Sequence, residues 1–261
     1  MSSNPTSPVA VVTAGSGGIG RGIAQALADS GHRVVITGRD VAKGDAAAKA
    51  IGPADRVRFV AADALSQDAV ESAIDTVIDD FGRLDVLVNN AGGSSGFAPV
   101  AELTDQAWEQ AFTWNVSSGF WAVRRVLPTM VAAHHGRIIN ISSVQGKQAN
   151  IVNSAHYIMA KHAVNGFTKA VAKEYGGEGI TCNAICVGPV ETELMKTAGA
   201  RAAAARGVTY AEHVQRYADA TMTGRINQAS EVGAMAALLA SDNGAGITGA
   251  ILNVDGGISP Y

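Results

Sequence analysis

Tyr157 and Lys161 stand four residues apart in the run Tyr157-Ile158-Met159-Ala160-Lys161, a spacing that puts a phenol and an ammonium on one face of a helix. A free phenol ionises near pH 10. An ammonium about 5 Å away, at an effective dielectric of about 20, favours the phenolate by roughly 3 kcal/mol, about two pK units, before desolvation opposes it. Such a pair gives and takes a proton at neutral pH. Ser143 lies fourteen residues before Tyr157 and ends an apolar run, where its hydroxyl can polarise the oxygen that the phenol serves. Ser142, its rival, points to the opposite face of the same run. Asn115, inside the helical stretch TWNVS, sits where its helix propensity is poor. It can hold a water that links Lys161 to solvent, or rest as a satisfied core amide.

A second constellation lies near the start. The apolar run Val9–Thr13 leads into Ala14-Gly15-Ser16-Gly17-Gly18-Ile19-Gly20, after which a helical pattern begins. A strand, a glycine turn and a helix start bring backbone N–H groups and a positive helix end against a pyrophosphate. Thr13, Gly15, Ser16, Gly18, Ile19 and Gly20 are the residues expected there. The second apolar run ends VVITGRD, so Gly38 occupies the place of the carboxylate that would grip an adenosine 2′-hydroxyl, and Arg39 follows. A guanidinium without that carboxylate favours a 2′-phosphate, so NADP(H) is expected over NAD(H) unless Arg39 is a solvated surface charge. Asp63, after the third run, can accept from an adenine amino group or cap a helix.

The elements that must position these groups alternate along the chain. Strands are expected at Val9–Thr13, Arg33–Thr37, Val57–Ala61, Val86–Asn89, Arg137–Ile141, Ile180–Ile185 and Ala250–Val254, mostly continuous apolar runs of the kind that helices cover on both faces. Alanine-rich helices such as Gly20–Ser30, Asp68–Phe81 and His156–Tyr175 separate them, and one long helix is expected over Thr104–Ala133. Right-handed crossovers then give an α/β fold: a single Rossmann-type domain over residues 1–261, with a doubly wound seven-stranded parallel sheet and helices on both faces. Residues 1–8 read as a flexible tail, and the insertion over 193–223 as a substrate lid, because a bare βα connection is much shorter.

With these elements in place, the chain resembles the short-chain dehydrogenase/reductase family along nearly its whole length. The resemblance rests on the glycine turn, Asn89-Asn90-Ala91-Gly92, Asn115, Ser143, Tyr157 and Lys161, the Asn183, Gly188 and Thr192 segment, and Asp255-Gly256-Gly257. It implies a catalytic tetrad of Asn115, Ser143, Tyr157 and Lys161, with Lys161 and Tyr157 also holding the nicotinamide ribose. Asn90, Ala91, Gly92, Gly188, Val190 and Thr192 are the further cofactor-binding positions that it implies. The chain departs from the family pattern at Ala14, in place of the turn's first glycine, and at Val187, in place of a proline before Gly188. The Ser143 to Tyr157 spacing is one residue longer than usual. Stretches such as GKQ at 146–148 are similar to bacterial 3-oxoacyl and polyketide ketoreductases, and GRIINISS is similar to 3-hydroxybutyrate dehydrogenases.

The expected activity is therefore NADP(H)-dependent interconversion of a ketone and a secondary alcohol, with Tyr157 as acid and base, on a 3-oxoacyl or polyketide type of substrate. An NAD-dependent hydroxy-acid or alcohol dehydrogenase, and a non-catalytic NADP(H)-sensing regulator, are the alternatives. Ser94, Ser95, Gln145, His156, Met195 and Met222 are placed to meet a small carbonyl substrate, and Arg201 and Arg206 to meet an anionic carrier of a thioester. The resemblance also implies a homodimer or homotetramer built on the long helices.

Composition narrows the remaining classes. Twenty Lys and Arg against 23 Asp and Glu give a net charge of −3, without the basic field that nucleic acid or an anionic membrane attracts. No basic segment followed by an apolar stretch opens the sequence, so a cytoplasmic protein is expected. Cys182 and Cys186 share one strand face without further ligands at zinc spacing, and read as core residues; no metal is expected.

Overall fold

Seven apolar runs become seven parallel strands, the five inner ones buried on both faces and the two at the ends of the sheet partly exposed. The computed structural model describes residues 7–94 and 96–259. The strands are β1 (Val9–Val12), β2 (Arg33–Gly38), β3 (Val57–Ala61), β4 (Val86–Asn89), β5 (Gly136–Ser143), β6 (Ile180–Val187) and β7 (Ile251–Val254). They form one sheet in the order β3-β2-β1-β4-β5-β6-β7. Parallel pairing sets Val11 beside Val35 and Leu87, and Ser143 beside Val187. Alternate residues feed two cores. Val12, Val88, Ile139 and Ile185 meet Ile23, Leu27, Val232 and Leu239 on one face. Val11, Leu87, Ile138 and Cys182 meet Ile74, Val126 and Met130 on the other.

The first face is covered by α1 (Gly18–Asp29), α2 (Val41–Ile51) and α9 (Ala229–Ala240), and the second by α3 (Gln67–Phe81), α5 (Ser118–Ala132) and α6 (Ala155–Tyr175). Side-chain caps start several of them: Asp40 accepts from Lys43 N–H at 3.0 Å, and Ser66 from Ala69 N–H at 3.3 Å. The expected helix over Thr104–Ala133 is interrupted. It consists of α4 (Asp105–Phe112), a π-turn over Thr113–Ser117, and α5. Such a single π-turn within a helical run is a local feature, often found at functional sites.

The strand order reverses between β1 and β4, so the loops after these strands part and leave a crevice at their C-terminal ends. The insertion after β6 folds into α7 (Glu193–Ala205) and α8 (Tyr210–Asp219). Among the described residues no helix is long and apolar enough to cross a membrane.

Candidate active site

β5 reaches Ser143 and stops at the C-terminal edge of the sheet, and α6 begins after the loop over 144–154. The Ser143 hydroxyl is hydrogen-bonded to the Tyr157 phenol and accepts the Gln145 N–H at 3.2 Å. Ser142 faces the other way and donates to the Lys161 carbonyl oxygen at 3.4 Å. One helical turn past Tyr157, the buried Lys161 Nζ donates to the Ile141 carbonyl at 2.9 Å and lies 5.7 Å from the centre of the Tyr157 ring. Ser143, Tyr157 and Lys161 thus come together at one edge of the sheet.

Asn115 reaches the same place through the π-turn. Its Oδ1 accepts the Gly93 N–H at 3.0 Å, and its Nδ2 donates to Gly93 O at 3.0 Å and Ala111 O at 2.9 Å. Of the two sequence readings, the geometry is that of the satisfied amide: it clamps the loop after β4 against the helix. Gly92 lies between the two groups. A Cβ built there would stand 2.5 Å from Asn115 Oδ1 and 3.4 Å from Lys161 Nζ.

The proton affinities differ from the sequence expectation. Burial raises the Tyr157 pKa above its ordinary value of 10, with the Ser143 hydrogen bond opposing, and lowers that of Lys161 to about 8. Desolvation is the largest influence on both groups, and Nζ is turned to the Ile141 carbonyl. Cys182 and Cys186 are free and fully buried on β6, and burial raises both thiols.

Across the sheet, a cleft of about 360 Å³ is lined by Thr13, Ala14 and Ser16 of the glycine turn, Gly38 at the end of β2 with Arg39, Asp40 and Lys43 beyond it, and Asp63 and Leu65 beyond β3. Thr13 Oγ1 takes the N–H groups of Asn90 and Ala91, each at 2.9 Å, and Asn90 Nδ2 donates to Thr13 O at 2.9 Å. These bonds fix the turn to the loop after β4. Ala14 itself is left-handed at φ 51°, as is Gly18 at 52°, so the missing first glycine is tolerated at some cost in strain. A Cβ on Gly20 would lie 2.5 Å from Asn90 Nδ2, which is why that position takes no side chain. Ile19 packs into the core beneath. Asp63 lines the cleft while its Oδ1 accepts the Leu65 N–H at 3.0 Å, so it serves as a turn cap as well.

Gly188 abuts Asp255, and Val190 bridges to Asn227. The Thr192 hydroxyl caps α7 by accepting Met195 N–H at 3.1 Å, and its methyl stands 3.2 Å from a Cβ built on Gly18, over the glycine turn. The positions named for the substrate divide. Ser94 is exposed and donates to Gly96 O; Ser95 lies outside the described residues. Met195 is half-buried at the start of α7, Met222 is 84% exposed, and Arg201 and Arg206 are exposed on or just beyond α7. Gln145 is buried and its side chain is bonded to Asn150, and His156 is 1% exposed, with burial depressing its pKa.

Three contributions are absent from the sequence reading. Lys43 lines the cleft beside Arg39. Asn227 ties both ends of the insertion to β7, through Asn227 N–H to Pro189 O at 2.9 Å and Nδ2 to Val254 O at 3.0 Å. Asn89, Asn140 and Thr168 form a buried chain of side-chain hydrogen bonds behind the edge, each at 2.9 Å. Of these, only Lys43, a cation in the first turn of the helix that follows Arg39, carries a signal in the sequence.

Residues 8–203 match the family model described as short chain dehydrogenase. The chain belongs to this family. It is accordingly an oxidoreductase of alcohols and ketones that uses a nicotinamide dinucleotide. Relatives extend along its full length. A Streptomyces virginiae protein named for ketoacyl reduction in a monensin polyketide synthase is 38% identical over 98% of both chains. D-beta-hydroxybutyrate dehydrogenase of Cupriavidus necator is 35% identical over 95% of this chain and 96% of its own. Among solved structures, an actinorhodin polyketide ketoreductase variant with NADPH superposes at a TM-score of 0.93, with 35% identity over 99% of this chain and 100% of that one.

Proposed function

We propose that this short-chain dehydrogenase is an NADP(H)-dependent ketoreductase that acts on a 3-oxoacyl or polyketide type of ketone. The observation that carries the reading is the meeting of Ser143, Tyr157 and Lys161 at the sheet edge, beside a cleft whose far end holds Arg39 where a carboxylate is missing. The residues fit the cofactor. A glycine turn at a helix start suits a pyrophosphate, and the cations beyond β2 suit a phosphate on the adenosine. Thr13, Gly15, Ser16, Gly18, Ile19 and Gly20 would hold the pyrophosphate end, Arg39 and Asp63 the adenosine, and Asn90, Ala91, Gly92, Gly188, Val190 and Thr192 the nicotinamide half. When bound, the cofactor supplies the hydride.

The protein supplies the proton and the polarisation. Ser143 donates to the carbonyl oxygen, and Tyr157 protonates the alkoxide as it develops. A phenol held above its ordinary pKa is fully protonated at neutral pH, which suits the reductive direction. Lys161, largely an ammonium below about pH 8, then stabilises the phenolate left behind. Asn115 holds the loop on which the substrate oxygen must approach. The α7–α8 insertion serves as the lid, and the functional unit is a dimer or tetramer. NAD-dependent hydroxy-acid oxidation is a second reading, drawn from the Cupriavidus relative, and Gly38 weighs against it.

The test is initial-rate oxidation of NADPH and, in parallel, NADH with an acetoacetyl thioester and a panel of cyclic ketones. NADPH turnover is expected with at least one of these ketones, and Tyr157→Phe is expected to lower kcat by about 10²- to 10⁴-fold with cofactor binding retained. A Tyr157→Phe enzyme with full activity overturns the assignment.

A further inference from the structure

The far end of the cofactor cleft holds a second cation that the glycine turn and Arg39 do not account for. Lys43 is the third residue of α2, and its Nζ lies 3.4 Å from a Cβ built on Gly17, so the ammonium stands directly over the turn. Ser16 Oγ stands on the same rim, 3.4 Å from a Cβ built on Gly38. Arg39 and Lys43 line one cleft, and among the described residues neither belongs to an ion pair. The carboxylate between them, Asp40, is committed to the start of α2, where its Oδ1 accepts the Lys43 N–H at 3.0 Å. Asp40 also lines the cleft, so two cations and one capped carboxylate face it at this end.

The helix that carries the lysine is set from behind. α2 lies so close to β3 that a Cβ on Gly44 would come within 2.2 Å of the Phe59 ring, and the same ring lies 3.5 Å from a Cβ built on Gly38. The ring therefore fixes the distance between the end of β2 and the first turn of α2. A lysine in the first turn of α2 then reaches back to the glycine turn, although its side chain stays exposed.

We infer that Lys43 is a specificity-determining residue that grips the 2′-phosphate of NADP(H) together with Arg39 and Ser16. The inference rests on the NADP(H) reading above. Arg39 alone gives one planar donor pair; the ammonium adds a point charge from the side of the glycine turn, and Ser16 adds a neutral donor on the same cleft. Discrimination follows from the ligand's charge: a 2′-hydroxyl gains nothing from the second cation, whereas a 2′-phosphate does.

Calorimetric titration with 2′,5′-ADP and with 5′-ADP tests this without any substrate. Wild-type protein is expected to bind 2′,5′-ADP more tightly. Lys43→Met is expected to weaken 2′,5′-ADP about tenfold, with 5′-ADP changed by less than about twofold, and Lys43→Arg to restore most of the loss. Equal weakening of both nucleotides in Lys43→Met overturns the inference in favour of general disruption of the turn. No change in either overturns it as well, and leaves Arg39 as the phosphate ligand if wild type still prefers 2′,5′-ADP. A wild-type protein without preference between the two overturns the NADP(H) reading itself.

Discussion

Lys161 carries the most consequential single charge in the molecule. It is 4% exposed, its one hydrogen-bond acceptor is a neutral carbonyl, and its pKa falls to about 8. In the unfolded chain the same ammonium keeps its proton up to about pH 10.4. Between these two values the unfolded state binds more protons than the folded one, so the Lys161 contribution to stability rises with pH across that window, by at most about 1.4 kcal/mol per pH unit. Tyr157 acts in the opposite sense above pH 10, where the unfolded phenol ionises first and stability is lost. Urea unfolding of wild type and Lys161→Met at pH 7, 8, 9 and 9.5 isolates the lysine. The stability of the wild type relative to the variant is expected to climb from pH 8 to 9.5. A constant difference would mean that the ammonium is solvated in the folded protein.

At the scale of elements, the sheet was legible because its inner strands are buried on both faces and so read as mostly continuous apolar runs. All seven expected strands are present, with β5 extended to Gly136–Ser143 and β6 to Ile180–Val187. Their extra residues, such as Ser142, Ser143 and Cys186, are polar or small, and hydrophobicity does not mark them as strand. The phenol, ammonium and serine were legible for a similar reason: their spacing is local. What stayed hidden depends on approach between distant segments. The π-turn that aims Asn115 at Gly93 and the return of Lys43 over Gly17 are examples. So is the stitch made by Asn227, which is polar, 4% exposed, and bonded to carbonyls thirty-eight positions before it and twenty-seven after. That stitch closes the base of the α7–α8 insertion. Asn227→Ala leaves the part-buried Val254 carbonyl with the Gly188 N–H as its remaining donor, at a cost of about 1 kcal/mol. Limited proteolysis is expected to cut the variant faster within residues 193–223 than wild type, with the rest of the chain equally resistant. Equal cleavage rates would show that the backbone bonds at Pro189 and Glu191 suffice.

The whole molecule keeps its chemistry on the C-terminal edge of the sheet and its unsatisfied apolar surface elsewhere. α5 and α6 lie side by side over the second core, and their outer faces form a groove of about 330 Å³ lined by Phe120, Leu127, Pro128, Val131, Phe167 and Tyr175. Phe120 remains 42% exposed although it meets Phe167 edge to face at 6.1 Å and carries Arg124 over its ring. Trp108 and Phe112 of α4, the helix that leads into α5, are similarly exposed. Aromatic residues left in water along adjoining helices form the kind of patch that a partner covers. Two copies related by a two-fold axis can bury these helices against each other, because an isologous interface needs only one self-complementary face. Such a pairing would brace α6, which carries Tyr157 and Lys161, and would couple assembly to activity. Phe120→Glu places a charge in the middle of the groove. Sedimentation velocity at micromolar concentration is expected to show a dimer or tetramer for wild type and a smaller species for the variant, with reduced turnover per chain. A wild-type monomer removes this face as an interface, whereas an unchanged assembly in Phe120→Glu moves the contact to another surface.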